Sequence, residues 1–207
     1  MRRSKGFTLI ELLAVIVILG VIMLIAIPSV TGYITSSRKN SFASTGANII
    51  DAVRKYAITA NGLPNYTGDK VVYRVVDENG KIAVKLDSGG TKSAFGAAWI
   101  AGYNYVVIEA TDNNNYNYYY AGYDASGNFI PLTPEDDLKG GVVQNVSELA
   151  DTETIDSKIK KLPTNDSDDS VWVDDVDFVD NYNIAISGTA DNVRLYRLYP
   201  NNGDVLL

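Results

Sequence analysis

MRRSKGFTLIELLAVIVILGVIMLIAIPSV, residues 1–30, decides how the rest of this chain is read. A basic leader (Arg2, Arg3, Lys5) meets an apolar run at Gly6-Phe7, and the run holds one acidic residue, Glu11. From Phe7 to Val30, Glu11 is the only ionisable group in 24 residues. At ~1.5 Å per residue that run spans ~36 Å, enough to cross a bilayer. A charge near the middle of a membrane helix costs roughly 2.5–3.5 kcal/mol, so an unpaired one is rare and usually functional. The pattern fits a subunit that waits in the membrane and later buries the same helix against copies of itself.

Composition narrows the remainder. The 207 residues allow one ordinary domain plus a long extra element. There is no Cys, so no disulfide staples the fold. There is no His, which removes the commonest general base and metal ligand, and with Cys absent it excludes thiol and Ser-His-Asp catalysis. The net charge is −7, and removing the three basic leader residues takes it to −10. An acidic body of this kind is not a nucleic-acid binder, which needs clustered Lys and Arg to displace counterions. The expectation is a membrane-tethered, acidic, non-enzymatic protein with no direct nucleic-acid binding.

The order of the N-terminal features is the reverse of ordinary secretion. A signal peptide places a small-residue cleavage site after a 7–15-residue apolar core. Here the small residue, Gly6, precedes a longer core. Cleavage there removes the charges and keeps the hydrophobic helix. No basic residue follows until Arg38-Lys39, so the N-terminus is expected to face the cytoplasm and the bulk to be exported.

Lys5-Gly6-Phe7-Thr8-Leu9-Ile10-Glu11-Leu12-Leu13 resembles the processing motif of type IV pilins and the related pseudopilins. The resemblance implies cleavage between Gly6 and Phe7 by a prepilin peptidase, then N-methylation of the new Phe7 amine. It implies that Glu11, fifth in the mature chain, pairs with the terminal amine of a neighbouring subunit, making Phe7 and Glu11 the assembly residues. Gly20 and Pro28 match family positions that bound a stretch where the helix loosens in the filament. The specific match covers about residues 1–30 and the helix-then-head layout. A plainer account makes Thr8 and Glu11 interfacial residues of a signal anchor, with Glu11 snorkelling to the inner surface. That account leaves Gly6 unexplained. Pro28 could end the helix, because proline deletes a hydrogen bond and clashes one turn back. The apolar pattern resumes beyond it, so a kink is expected rather than a stop.

From Ser29 to Ala60 the spacing becomes that of an amphipathic helix. Val30, Tyr33/Ile34, Phe42, Gly46, Ile49/Ile50, Val53, Tyr56/Ala57 and Ala60 recur every three or four residues. Asn61-Gly62-Leu63-Pro64 should stop it, with Gly62 as a left-handed cap. The expected organisation is a cleaved leader (1–6), a transmembrane or filament-core helix (7–28), an amphipathic half (29–61) and a β-rich head (62–207). Val71–Val76 and Lys81–Leu86 around Asn79-Gly80 read as one β-hairpin. Tyr103–Ala110 and Tyr116–Tyr123 form a second, and Tyr182–Ser187 with Val193–Tyr199 a third. Ser147 is placed as the cap of a short helix reaching Lys161. The economical architecture is α+β, pilin-like: a long kinked helix packed on an antiparallel sheet.

Three features of the head suggest chemistry. Residues 164–180 carry seven carboxylates and no base. Asp166, Asp168, Asp169, Asp174 and Asp175 are weak calcium candidates, because calcium takes six to eight oxygen ligands; the spacing is not that of an EF-hand. The alternative is a solvated acidic loop leading into a strand with Val171, Val173, Val176 and Phe178 inward, and no cofactor is expected. Tyr103, Tyr105, Tyr116, Tyr118, Tyr119, Tyr120 and Tyr123 are half of the chain's 14 tyrosines. They suit either an adhesive patch or cross-strand core pairs. Asn65, Asn145 and Asn165 head glycosylation triplets, which are frequent by chance.

The leading expectation is a structural subunit of a type IV pilus, serving adhesion, motility or DNA uptake. It would sit in the cytoplasmic membrane as a single-pass prepilin and then in an extracellular filament. Its partners would be copies of itself, minor pilins, the prepilin peptidase, the assembly platform and the membrane. The alternative is a pseudopilin of a type II secretion or competence system. Less favoured is a membrane-tethered binding or enzymatic module, for which no carboxylate pair is recognisable. A sortase-anchored surface protein is disfavoured because Leu162-Pro163-Thr164 is internal.

Overall fold

The computed structural model describes residues 6–59, 62–64, 67–68, 70–76, 80–82, 86, 92–111, 115–162, 170–173 and 193–197, the last two segments as backbone. The expected α+β architecture is present: one helix, α1 (Leu9–Thr59), and a sheet. The strands are β1 (Lys70–Arg74), β2 (Tyr105–Ala110), β3 (Tyr116–Tyr123), β4 (Asn128–Pro134), β5 (Gln144–Asn145), β6 (Ser170–Val173) and β7 (Val193–Arg197). Their order is β5-β4-β3-β2-β1-β7-β6. Contacts divide the chain into two compact units, Met1–Arg38 and Lys39–Leu207.

In the first unit every described residue is solvent-exposed, and α1 is one helix long and apolar enough to cross a membrane. It runs through Pro28 without interruption. Pro28 cannot donate to the carbonyl one turn back. Just beyond it, Thr31 Oγ1 donates to the Ile27 carbonyl (2.9 Å) and Thr35 Oγ1 to the Thr31 carbonyl (3.1 Å). Val30, Tyr33 and Ile34, expected on the buried stripe, are 55%, 78% and 45% exposed. Burial along α1 begins at Phe42.

In the second unit the stripe Phe42, Gly46, Ile49, Ile50, Val53 and Ala57 packs on one sheet face. Opposite it stand Val71, Tyr73, Val106, Ile108, Tyr120 and Ile130. Fully burying each large aliphatic contributes about 1.5–3 kcal/mol, so this one layer dominates the head's stability. The other face holds Val72, Tyr105, Val107 and Phe129, and is closed by Ile159 and Leu162. The segment carrying these two is tied down by Leu162 N–H donating to the Gly102 carbonyl (2.8 Å) and Tyr103 Oη donating to Asp156 (2.7 Å).

Four expectations are corrected. The first hairpin is not seen as a paired ladder among the described residues, residues 77–79 and 83–85 lying outside them: β1 pairs antiparallel with β2, and Val76 meets Ile82 in an isolated antiparallel bridge. The sheet is not wholly antiparallel, because β7 runs parallel to β1, with Lys70 opposite Val193. Among the described residues no α-helix follows Ser147; there are 3-10 turns at Val146–Glu148 and Ile155–Ser157, and the first is capped by the Asn145 side chain. Gly62 is not a left-handed cap, since it is absent from the positive-φ glycines. Its N–H instead donates to the Ala57 carbonyl (2.9 Å), and its carbonyl accepts from Tyr73 Oη (2.7 Å). A Cβ there would stand 2.2 Å from Tyr73 Oη, so close approach rather than φ demands glycine.

The second hairpin is present as β2–β3, with Tyr105 opposite Ala121 and Ala110 opposite Tyr116. The third falls partly outside the described residues; its second half is β7, which β6 flanks antiparallel. Beyond β3 the turn Asp124–Asn128 is built around the fully buried Asp124 carboxylate. It accepts from Ser93 Oγ (2.6 Å), Ser126 N–H (2.9 Å) and Asn128 N–H (2.9 Å), which satisfies a charge that burial would otherwise penalise.

Candidate assembly site at the helix N-terminus

Gly6, Phe7 and Thr8 precede α1 in non-helical backbone, and Phe7 is 84% exposed. The Gly6–Phe7 bond is accessible and lies outside the helix. A Cβ on Gly6 would meet nothing within 4 Å, so the glycine answers no packing need of this chain.

Thr8 and Glu11 form a reciprocal cap on α1. Thr8 N–H and Thr8 Oγ1 both donate to Glu11 Oε2 at 2.8 Å, and Glu11 N–H donates back to Thr8 Oγ1 at 3.3 Å. This is the capping box, with Thr8 at the N-cap and Glu11 three residues on. The helix N-terminus adds a favourable field for the carboxylate. The role of Thr8 went unrecognised in the sequence, although Thr-x-x-Glu ahead of an apolar run is its signature. The cap occupies one carboxylate oxygen. No hydrogen bond to Oε1 is formed among the described residues, and the residue is exposed. Glu11 is thus held in place by its own chain and open to a second donor. Gly20 and Pro28 both lie within continuous helix, and a Cβ on Gly20 would meet nothing within 4 Å.

The other sites separate cleanly. Asp166, Asp168, Asp169, Asp174 and Asp175 lie outside the described residues; among the described residues no group of three acidic side chains could hold a metal. The tyrosines do not form one patch. Tyr105 and Tyr120 are fully buried and Tyr103 is 7% exposed, while Tyr116, Tyr118, Tyr119 and Tyr123 are half-buried. Burial and the Asp156 hydrogen bond push Tyr103 up to about 12. Burial and Glu109 do the same for Tyr119, again to about 12. Tyr103 belongs to the core, and Tyr119 packs against it. Asn145 is engaged throughout: its amide donates to Asn128 Oδ1 (2.9 Å) and its oxygen accepts from Ser147 N–H (3.0 Å) and Oγ (2.7 Å). As an acceptor of glycan it is closed. Asn65 and Asn165 lie outside the described residues.

Comparison with known proteins bears on the same segment. Residues 1–27 match the family model described as the prokaryotic N-terminal methylation motif. The type IV narrow pilus major component PilA5 of Thermus thermophilus is 37% identical over 62 residues, covering 30% of this chain and 53% of that protein. The chain thus spans about half the length of the curated relative it matches. No solved structure matches. An exposed apolar helix opens on that motif and is followed by an α+β head, and the two matches support a type IV pilin.

Proposed function

We propose that this chain is a non-catalytic structural subunit of a type IV pilus. It enters the cytoplasmic membrane as a prepilin with its N-terminus inside, is cut after Gly6, is methylated on Phe7 and polymerises through α1. The observation that carries this reading is the apolar surface from Phe7 to Ile34, left exposed by its own chain and headed by a capped Glu11 with one free oxygen. Such a surface needs lipid first and other subunits later. Moving from lipid to neighbouring helices gains little hydrophobic free energy, because acyl chains are as apolar as leucine. The decisive difference between the two environments is then polar. In a helix bundle Glu11 is desolvated, and a partner amine is worth most there. Breaking a buried pair costs about 3–5 kcal/mol, against ~0–1 for an exposed one. The amine exists only after cleavage, so processing gates assembly. Prepilin peptidase, minor pilins and the assembly platform are the partners this scheme requires. The likeness to a relative that is a major pilus component favours a pilus over a secretion pseudopilin.

Mass spectrometry of sheared filaments and membranes tests the processing step. The mature chain should start at methylated Phe7, and Gly6→Val should accumulate the uncut form. Assembled protein that still carries Met1–Lys5 would overturn the reading.

A further inference from the structure

Strands β3 and β4 do not end together. Tyr119 stands opposite Pro134 and Tyr120 opposite Thr133, but β4 stops at Pro134. Tyr116, Asn117 and Tyr118 keep ladder partners only on β2, namely Ala110, Glu109 and Ile108. Proline has no N–H with which to extend the ladder, and the chain turns off in a 3-10 turn at Glu135–Asp137. Among the described residues, the β3 edge at 116–118 has no strand partner on the side away from β2. It borders a cleft of about 380 Å³ that is also lined by Arg54, Tyr119, Pro134, Glu135 and Asp136.

The walls decide what such a cleft can take. Arg54 lies over the Tyr118 ring, 4.2 Å from its centroid, and donates to both Asp51 and Glu135. Tyr119 Oη donates to Glu109 (3.0 Å). The ring face and hydroxyl that a sugar would use are therefore already engaged. Two things remain unspent. One is the backbone of the edge on the side away from β2; the other is the carboxylate of Asp136, exposed and without a cation among the described residues. Backbone groups at an open edge are a template for an added strand, and a charge beside them restricts which strand is accepted.

We propose that the open β3 edge at residues 116–118 binds an extended peptide segment of a partner protein by strand addition, with a lysine or arginine of that segment on Asp136. The contact lies wholly in the head and uses neither Phe7 nor Glu11.

The test uses the full chain in detergent micelles and a fluorescently labelled, end-capped Val-Lys-Val-Lys-Val peptide, followed by anisotropy at ~0.15 M salt. Saturable binding is expected. Affinity should fall at least ~tenfold for Val-Glu-Val-Glu-Val, for Asp136→Lys, and for one of the two peptides whose alternate backbone nitrogens are methylated. Undiminished binding of both N-methylated peptides would reduce the interaction to charge and overturn strand addition. Full affinity in Asp136→Lys, with unchanged circular dichroism, would place the peptide elsewhere on this acidic protein. Absence of binding would leave the edge merely solvated. Each of these outcomes leaves the pilus reading untouched, just as a failure to form filaments would leave the peptide result standing.

Discussion

The ring of Tyr120 lies against the bare backbone of Gly46: a Cβ built on Gly46 would stand 2.6 Å from Tyr120 Cδ1 and 2.8 Å from Cε1. The glycine is what lets α1 come down onto β3. Tyr120 cannot swing aside, since it is fully buried and its hydroxyl donates to Asn104 Oδ1 (3.3 Å). Burial and the nearby Asp124 push its pKa well above the usual tyrosine range, so it stays a neutral donor.

Gly46→Ala therefore pits two effects against each other. Alanine gains about 1 kcal/mol of helix propensity, while overpacking a core costs about 1–3. With the neighbour pinned, the clash should win, for a net loss of up to about 2 kcal/mol by the same figures. Urea melts of the full chain in micelles measure it. A stabilised Gly46→Ala would show that the helix–sheet spacing relaxes more freely than this packing allows.

Asn104 is the second half of that anchor. It is 1% exposed, donates to the Ile100 (2.7 Å) and Tyr123 (3.0 Å) carbonyls, and accepts from Tyr120 Oη and Tyr123 N–H. Asn104→Ala leaves these groups buried and unpaired, at about 1–3 kcal/mol for each that finds no water. A loss of about 2–4 kcal/mol is expected, against under ~0.5 for an exposed control such as Asn117→Ala. Equal effects from the two substitutions would remove the asparagine from its role as tie between β2 and β3.

The raised tyrosines give the head an alkaline limit. Burial and Asp156 hold Tyr103 at about 12, above the ~10 of an unfolded chain. The folded state thus keeps a proton that the unfolded state gives up. The associated stability is complete below pH ~10 and drains away as pH rises through the folded value. Melting temperature should be steady up to pH ~10 and fall toward pH ~12, more gently in Tyr103→Phe. A decline of identical steepness in that variant would assign the alkaline limit to other groups.

Legibility followed the length of each signal. The apolar run and its Glu11 were plain, and so was the stripe Phe42–Ala57, because many residues repeat one message. Val30, Tyr33 and Ile34 continued the same period yet stay exposed; periodicity marks a face without saying what covers it. Asn79-Gly80 promised a local hairpin, but β1 found better partners in β2 and β7, a long-range choice that no turn residue reveals. Strand β4 was hidden by Pro131 and Pro134. They are tolerated because the ladder shifts register between Tyr120 and Gly122 and ends at Pro134. Of the assembly site, Gly6, Phe7 and Glu11 were legible through the motif, whereas Thr8 emerged as a cap only from its hydrogen bonds.

The Thr8–Glu11 cap makes a graded prediction about assembly. Removing an N-cap side chain costs about 0.5–2 kcal/mol of helix start, whereas leaving a desolvated charge unpaired costs about 3–5. Thr8→Ala should thus remove the two hydrogen bonds made by the hydroxyl and loosen the first turn, yet leave the carboxylate, still held by the backbone N–H at position 8, available to a neighbour's amine. Its filaments should be fewer, and Thr8→Ser, which keeps the hydroxyl, should restore them. Glu11→Gln keeps a hydrogen-bond acceptor but loses the charge, and should fall below Thr8→Ala. Glu11→Ala and Glu11→Lys should leave membrane insertion and leader removal intact and yield almost no filaments; in the lysine variant like charges would face each other. Filament counts by electron microscopy, set beside membrane-fraction immunoblots and the mass of the N-terminal peptide, separate assembly from processing. Wild-type filament numbers from Glu11→Lys would show that the amine–carboxylate pair does not drive polymerisation. Thr8→Ala falling as low as Glu11→Ala would show instead that Glu11 acts chiefly by capping its own helix.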